Sequence, residues 1–326
     1  MKTGKLTPQE LNEIVFNRLP PLGPGIVCGP GNGLDCAAVD CPPGSRLIMS
    51  SDPITGAGKD IGRLAVHVSC NDLAAFGVKP EAIMLVIIAP VTAEKDQLIE
   101  MMEQVSAACI ELGTSIAGGH TEISDAVNRF ILTATAVGFA SGELIQSNGA
   151  RPGDSLIMTK TAGLEGTAII AADLPDRLTG CLSTDEIEVA KAMISKISVV
   201  PEGLCGRRAC VHAMHDVTEG GIMGAAWEMA EAAGLGLEIR RDLIPVDDLT
   251  MRICNHLGVD PYRLISSGSM LFATDNPESL LVELSAAGIG AAEIGCFTKS
   301  IERVFVANDV IYDLAQPDRD ELYKLI

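Results

Sequence analysis

Residues 50–80 read SSDPITGAGKDIGRLAVHVSCNDLAAFGVKP, which combines the end of a strand, a glycine loop, an apolar helix and a helix stop. Apolar residues recur at helical spacing over 60–76, and GVKP at 77–80 ends the pattern. Asn71 and Asp72 lie inside this apolar helix. An unpaired buried carboxylate is costly, so we expect the pair to be hydrogen bonded, to cap a helix or to bind a metal ion.

The rest of the chain predicts further helices and short strands in both halves. Helices are expected over 7–19, 93–112, 167–172, 183–197 and 222–233, and strands over 36–39, 46–50, 82–89, 114–117, 129–139, 155–159, 235–239 and 270–273. Because strands do not alternate strictly with helices, we predict an α+β fold of mixed sheets and helix layers rather than a doubly wound sheet. The turn RPGD at 151–154 suggests two domains, 1–149 and 150–326.

Composition excludes several classes of protein. Of the 326 residues, 47% are hydrophobic but only 3% are aromatic, so the core is expected to be aliphatic. The formal net charge is −19, and no run of Lys or Arg occurs. Binding to a nucleic-acid backbone needs clustered cations, so nucleic acid is not an expected partner.

The cysteines and the apolar stretches indicate a cytoplasmic protein. None of the ten cysteines forms a CxxC pair, and most lie among apolar residues. The chain starts without an apolar segment of signal-peptide type, and its longest apolar stretch, 82–91, is too short to cross a bilayer. We therefore expect no membrane association.

Acidic and amide residues follow or interrupt apolar stretches at four places in the first 125 residues. They are Asp35, Asp52, the Asn71–Asp72 pair and the segment Gly118-Gly119-His120-Thr121-Glu122. Carboxylates from separate segments that converge are suited to Mg²⁺ and a nucleotide, because Mg²⁺ prefers oxygen ligands and substrate phosphates. The two glycines are expected to end a strand and allow backbone to approach an anion. The simpler alternatives are an ordinary turn at Asp52-Pro53 and a tight turn at the glycine pair.

Glycine loops elsewhere offer further candidates. In the second half, Asp216-Val217-Thr218 with Gly220-Gly221 precedes a helix, whose N-terminus favours an anion; Thr218 is alternatively a plain N-cap. Lys59 follows a glycine-rich stretch and either reaches a phosphate or is an exposed loop lysine. The GPGNG stretch at 29–33 lacks the strand and helix of a dinucleotide-binding fingerprint, and it is either a phosphate-covering loop or a connector. Cys28 precedes it without an identifiable activating base.

Five segments in this order resemble one enzyme superfamily. They are GLDCAAVD, SSDPITGAGKDIGRLAVHVSCNDLAAFGVKP, AGGHTE, RPGDSLIMTKTAGLEGTAII and HDVTEGGIMGAAWEMAEAAGLGLEI. The superfamily contains aminoimidazole ribonucleotide (AIR) synthase (PurM), HypE, selenophosphate synthetase and thiamine-monophosphate kinase. HypE-like AIR synthase-related proteins are the most similar members, because of the second segment and of LGVDPYRLISSG at 257–268.

The resemblance implies a PurM-like two-domain architecture, with an N-terminal ATP- and Mg²⁺-binding domain that forms a homodimer through its sheet and a C-terminal α+β domain. It implies Asp35, Asp52 and Asp72 as metal ligands, Asp72, Glu122 and His120 as catalytic residues, and Asn71, Lys59, Gly118, Gly119, Thr121, Asp216, Thr218, Gly220 and Gly221 as nucleotide- or substrate-binding residues. The implied reaction is ATP-dependent phosphorylation or dehydration of an amide or carbonyl-type oxygen on a small or carrier-bound substrate.

The C-terminus departs from this pattern. HypE relatives that make the nitrile ligand carry a cysteine in a short C-terminal tail, whereas this sequence ends DELYKLI and its last cysteine is Cys296. The alternative is therefore a non-catalytic nucleotide-binding maturation or assembly factor that docks another maturation protein through its acidic surface.

Overall fold

The computed structural model describes residues 3–32, 34, 36–55 and 59–325. The predicted metal ligand Asp35 lies outside these residues. The chain divides into two compact units. Unit 1 comprises Met1–Leu73 and Val78–Glu143, and unit 2 comprises Ala74–Gly77 and Leu144–Ile326.

Unit 1 contains a five-stranded sheet in the order β1-β6-β5-β7-β4 and a separate two-stranded β2-β3 sheet. The strands are β1 Gly4–Lys5, β2 Ile26–Cys28, β3 Ala38–Val39, β4 Arg46–Ile54, β5 Pro80–Pro90, β6 Ser115–Ser124 and β7 Ile131–Ala140; the helices are α1 Pro8–Ile14, α2 Ile61–Ala75 and α3 Lys95–Leu112. Strands β5 and β6 are parallel, and the other paired strands of the five-stranded sheet are antiparallel.

Two predicted helix signals of unit 1 are present, although the α-helix predicted over 7–19 ends at Ile14. Thr7 and Glu10 form the capping box of α1, which a short 3-10 helix, Phe16–Arg18, follows. Helix α3 ends at Gly113, whose φ of 63° lies in the left-handed region that favours glycine. The capping box at Thr7 and the helix stop at Gly113 are confirmed.

Two predicted strands of unit 1 are too short. Strand β4 continues from Ser50 to Ile54 and so includes Asp52. Strand β6 continues to Ser124 and so includes Gly118 and Gly119, and the prediction that these glycines end a strand is wrong.

Unit 2 contains a seven-stranded sheet in the order β14-β13-β10-β12-β8-β11-β9. The strands are β8 Ser155–Thr159, β9 Ala213–Asp216, β10 Gly236–Arg240, β11 Met270–Thr274, β12 Ala291–Thr298, β13 Arg303–Ala307 and β14 Val310–Asp313; the helices are α4 Leu164–Asp173, α5 Thr184–Ala192, α6 Val200–Arg208, α7 Gly221–Ala233, α8 Asp248–Leu257 and α9 Pro277–Ala286. Only the β10–β13 pair is parallel among these described strands. The predicted α+β class with mixed sheets is confirmed.

The core of unit 2 is mainly aliphatic, as the composition predicts, but its largest fully buried side chains are Phe272 and Phe297. Leu156 and Met158 of β8 pack with Ile222 and Met229 of α7 in one buried cluster. A second cluster joins α4, α5 and α8 and includes Leu322 from the end of the chain. Burial of this aliphatic surface is the main favourable contribution to the stability of the unit.

Helix α6 is absent from the sequence prediction because Gly203 and Gly206 interrupt its apolar pattern. A Cβ on Gly203 would lie 2.1 Å from the carbonyl oxygen of Ala74. A Cβ on Gly206 would lie 2.4 Å from the sulfur of Met214. These glycines therefore permit close packing of α6 rather than ending it.

Candidate functional site

In unit 1, Asp52 and Asp72 lie on the same face of the sheet. Residues Ser50 and Asp52 are two apart on β4 and so share a face. The hydroxyl of Ser50 donates a hydrogen bond to Oδ2 of Asp72 on α2. One turn earlier on α2, Ser69 Oγ donates a 2.8 Å hydrogen bond to the carbonyl of Ala134. Ala134 lies on β7 and pairs with Asp52 of β4. Helix α2 therefore covers the face towards which Asp52 points.

Asp52 carries an unsatisfied carboxylate oxygen. Its Oδ2 atom is buried and has no hydrogen-bond partner among the described residues. Leaving a buried carboxylate oxygen unpaired costs free energy, and a bound cation would remove that cost. Mg²⁺ is held by carboxylate oxygens, so Asp52 and Asp72, which lie on the same side of the sheet, are of the residue type that binds this ion.

The number of acidic side chains at this place is nevertheless small. Within residues 3–32, 34, 36–55 and 59–325, no three His, Cys, Asp or Glu side chains are placed to hold a metal ion together. Asn71 follows the helix pattern and is 1% exposed, so it is a residue of the interior of unit 1. Lys59 is exposed and lies two residues before α2.

His120 and Glu122 lie on the other face of the unit 1 sheet. Gly119 pairs with Leu85, Leu85 with Ala134, and Ala134 with Asp52, so these four form one row across the sheet. Side chains alternate between faces along each strand, which places His120 and Glu122 opposite to Asp52. His120 Nε2 lies 3.1 Å from Glu122 Oε2. The structure therefore joins these two candidates with each other but not with Asp52.

Gly118 and Gly119 have a packing role inside the sheet. A Cβ on Gly119 would lie 1.8 Å from the carbonyl oxygen of Leu85, and one on Gly118 would lie 2.9 Å from the end of the Met84 side chain. The β5–β6 register shifts between Ile83 and Met84, just where these glycines pair. Close approach of the β5 backbone explains Gly119 without a loop, whereas the flexible end of Met84 is able to move away from a Cβ on Gly118.

The predicted glycine loop and the β6 segment meet at one cavity within unit 1. The cavity has a volume of about 340 Å³ and mostly apolar walls. Its lining includes Gly29–Asn32 of the glycine loop, Gly118–Thr121 of β6 and Leu11 of α1. Cys36 also lines this cavity. The thiol of Cys28 lies 3.6 Å from the carbonyl oxygen of Cys36.

In unit 2, the loop from Asp216 to Gly221 joins β9 to α7. Gly220 and Gly221 have φ values of 81° and 61°, in the left-handed region. Asp216 is 5% exposed, and its Oδ2 has no hydrogen-bond partner within the described chain. The N-cap of α7 is Gly220, not the alternative Thr218, and Thr218 uses its carbonyl to accept from the amide of Gly221 (3.2 Å).

The end of the chain supplies the anion at this helix N-terminus. Oδ2 of Asp320 accepts a 2.7 Å hydrogen bond from the amide of Gly220, and Oδ1 accepts from Leu322 (2.8 Å). Tyr323 donates to Glu219 Oε1 (2.9 Å). In this structure the predicted anion-binding loop thus binds a carboxylate of its own chain.

Two titratable groups near this loop have shifted pKa values. Burial raises the pKa of Glu165 on α4 to about 7, and the charges of Asp320 and Glu219 act in the same direction, although its oxygen accepts from Ser267 N. Burial lowers the pKa of His215, but hydrogen bonds and charges from Asp216 and Glu228 outweigh it and raise the pKa to about 9. Glu165 and Asp320 escape sequence reasoning because their partners lie about a hundred residues away in the chain.

Together, the two mixed-sheet units and the acidic motifs define a class of two-unit α+β proteins with carboxylates beside an apolar helix. Residues 33–140 match the family described as AIR synthase related protein, N-terminal domain, and residues 151–307 match its C-terminal domain. The chain belongs to this AIR synthase/HypE superfamily. The expected PurM-like two-domain fold and the resemblance to HypE are confirmed.

Individual relatives and a solved structure agree with this family assignment. A Methanocaldococcus jannaschii protein named for hydrogenase expression/formation is 31% identical over 78% of this chain and 75% of its own length. Carbamoyl dehydratase HypE of Cupriavidus necator is 28% identical over 79% of this chain and 74% of its own. The crystal structure of Escherichia coli HypE superposes with a TM-score of 0.81 at 22% identity, covering 98% of this chain and all of that one. None of the helices in the described part of the chain combines the length and the apolar character that a membrane span requires.

Proposed function

We propose that this chain is an ATP- and Mg²⁺-dependent enzyme that phosphorylates or dehydrates an amide or carbonyl-type oxygen of a small or carrier-bound substrate. The observation that carries the proposal is the unpaired buried oxygen of Asp52 on the face covered by the Asp72 helix. The names of the relatives support it, since one is a carbamoyl dehydratase and another HypE was crystallised in complex with ATP.

Asp52 and Asp72 would hold Mg²⁺, and Asp35 is the third proposed ligand. When bound, Mg²⁺ neutralises phosphate charge in phosphoryl transfer. Ser50 fixes the Asp72 carboxylate by donating to Oδ2, so that carboxylate is oriented before any ligand arrives. Asn71, Lys59, Thr121 and the glycines of β6 remain proposed phosphate contacts.

Isothermal titration of ATP with and without Mg²⁺ tests the proposal on the wild type, Asp72→Asn and Asp125→Asn. Asp125 is an exposed acid of the same unit, so its variant is the matched control. Mg²⁺-dependent binding that Asp72→Asn loses and Asp125→Asn keeps is the expected result. Equal binding by all three proteins would refute the assignment of Asp72.

The second candidate is a nucleotide-binding maturation factor without catalysis. The register of the unit 1 sheet favours it, because His120 and Glu122 lie on one face of the sheet and Asp52 lies on the other. A crystal structure of a HypE–HypF complex shows HypE bound to a second protein. ATP turnover by the purified chain separates the candidates: binding without turnover supports the factor, and turnover supports the enzyme.

We further propose a homodimer in the cytoplasm. On the face of the unit 1 sheet away from α2, Leu47 and Met49 of β4 are 50% and 62% exposed, and Val86 of β5 is half-buried. Such an apolar face is suited to a second copy. The ten cysteines are all unpaired, in keeping with a reducing compartment.

Sedimentation velocity tests the dimer. Met49→Glu should dissociate it, because the new charge would be buried without a partner. Ile110→Glu, at an exposed apolar position on α3, should leave the dimer intact. Two variants with the same sedimentation coefficient would contradict this interface.

A further inference from the structure

Strand β14 forms an unpaired edge of the unit 2 sheet. It pairs with β13 on one side, and no described strand lies on its other side. A two-residue turn, Asn308–Asp309, connects the two strands, and both turn residues have positive φ (50° and 61°). This is the geometry of a tight hairpin with a type I′ turn.

The register identifies which backbone groups of β14 face outwards. Ala307 and Val310 close the two-residue turn, so they form a hydrogen-bonded pair, and such pairs alternate along an antiparallel ladder. Val310 and Tyr312 therefore direct their backbone groups towards β13. Two residues further on, Leu314 also donates inwards, to the carbonyl of Arg303 (2.8 Å). Ile311 and Asp313 consequently present their N–H and C=O groups at the open edge.

The side chains of this edge strand are apolar and exposed. Val310, Ile311 and Tyr312 are 49%, 69% and 46% exposed. Tyr312 stacks on Phe305 of β13 with a centroid distance of 5.1 Å, which holds the strand in place. Natural edge strands usually carry lysine, proline or a bulge that prevents pairing with another chain, and Val310–Asp313 contains neither residue and pairs in regular register.

Charge excludes a second copy of this chain as the occupant. Asp309 and Asp313 flank Ile311 at two residues on either side. Antiparallel pairing of two copies about Ile311 would bring the Asp313 carboxylate at the end of each strand close to the turn residue Asp309 of the other copy, and the contact would occur twice. Like charges held close together across a strand pair are destabilising, and a net charge of −19 per chain adds repulsion. A strand from another protein with basic residues near Asp309 and Asp313 would instead be attracted to these two carboxylates.

We propose that β14 is a docking site for an extended segment of a partner protein, which adds a strand to the unit 2 sheet. The segment carries an apolar residue opposite Ile311, a Lys or Arg opposite Asp313, and a second Lys or Arg that reaches the turn residue Asp309. Backbone hydrogen bonds to Ile311 and Asp313 provide the contact, and the alternate charges select the partner.

The test is an amide NMR titration of the full-length ¹⁵N-labelled protein with the peptide acetyl-Thr-Arg-Thr-Val-Thr-Arg-Thr-amide. Saturable shifts centred on the amides of Ile311 and Asp313 are expected. A peptide with both arginines replaced by glutamate should bind at least about tenfold more weakly, because two cross-strand ion pairs become repulsive.

Two variants complete the design. Ile311→Lys should weaken binding about tenfold by adding a like charge and removing the central apolar contact, whereas Val282→Lys, at an exposed position on α9, should bind as the wild type does. Thermal unfolding checks that both variants are folded. Three outcomes overturn the proposal: no shift at β14, equal binding of the acidic peptide, or self-association that Ile311→Lys abolishes.

Discussion

The amide of Gly220 donates a 2.7 Å hydrogen bond to Oδ2 of Asp320, a residue one hundred positions later in the chain. Gly220 is the N-cap of α7, whose free N–H groups favour a negative charge. Asp216-Val217-Thr218 with Gly220-Gly221 before a helix predicts an anion site, and the fold fills it with the carboxylate of Asp320 from the same chain.

Asp320→Ala should lower the free energy of unfolding by about 1–3 kcal/mol, because it leaves the Gly220 and Leu322 amides without their acceptor. Urea denaturation followed by circular dichroism measures this loss. Asp318→Ala changes an exposed acid two residues away and should stay within about 0.5 kcal/mol of the wild type. Similar losses in both variants would show that Asp320 does not cap α7.

Glu165 should make stability depend on pH near neutrality. Its pKa in the folded protein is raised from 4.5 to about 7, so the folded state binds this proton more tightly than the unfolded state. Its stabilisation is complete below pH 4.5 and is lost as the pH rises through about 7.

Glu165→Gln removes this ionisation. Between pH 5 and 8 the wild type should lose stability relative to the variant by on the order of 3 kcal/mol, at about 1.36 kcal/mol per pKa unit. Unfolding free energies of both proteins across this range measure the difference. A constant difference would mean that Glu165 titrates as an ordinary exposed glutamate.

Gly119→Ala should destabilise unit 1, because the added Cβ would lie 1.8 Å from the Leu85 carbonyl oxygen and β5 would have to move. The expected loss is about 3 kcal/mol, the upper end for overpacked positions. Gly25→Ala is the matched control, since a Cβ there meets no atom within 4 Å. Thermal unfolding of the two variants checks the prediction, which fails if their midpoints agree.

Local signals explain which parts of the fold the sequence predicts. Helices α1 and α3 were predictable because the Thr7 capping box and the Gly113 stop act over a few residues. Gly119 and Gly203 mislead because the backbone that approaches each of them belongs to a distant segment. A single sequence does not distinguish a glycine that ends an element from one that lets two elements touch.

The candidate site shows the same division. The acidic motifs around Asp52 and Asp72 were visible because carboxylates interrupt apolar stretches, and the structure places both on one face. The face of the sheet on which His120 and Glu122 lie was not predictable, because β6 is longer than the predicted strand and includes both residues. Asp320 could not be paired with Gly220 by any local pattern.

The buried ion pair of Lys160 and Glu202 should stabilise the folded protein only when both residues are present. Lys160 Nζ lies 2.6 Å from Glu202 Oε1 and donates to the carbonyls of Lys196 and Ser198. Glu202 is 1% exposed, and burial raises its pKa although Lys160 opposes this effect. Glu202→Met leaves the lysine without its counter-charge and should cost about 3–5 kcal/mol, whereas the double variant Lys160→Met/Glu202→Met should lose less. A double-mutant cycle by urea denaturation measures the coupling, and additive losses would contradict it.

Asp52→Asn should separate stability from ligand binding. The buried Oδ2 of Asp52 has no hydrogen-bond donor within the described chain, so removing its charge should raise the metal-free unfolding free energy by about 1 kcal/mol. The same substitution should abolish Mg²⁺-dependent stabilisation by ATP, because one carboxylate ligand is lost. Thermal unfolding with EDTA, and with Mg²⁺ and ATP, gives both values from one protein, and Asp125→Asn, an exposed acid, should change neither. An Asp52→Asn protein that is less stable in EDTA and still stabilised by Mg²⁺ and ATP would show that this carboxylate serves the fold rather than the ion.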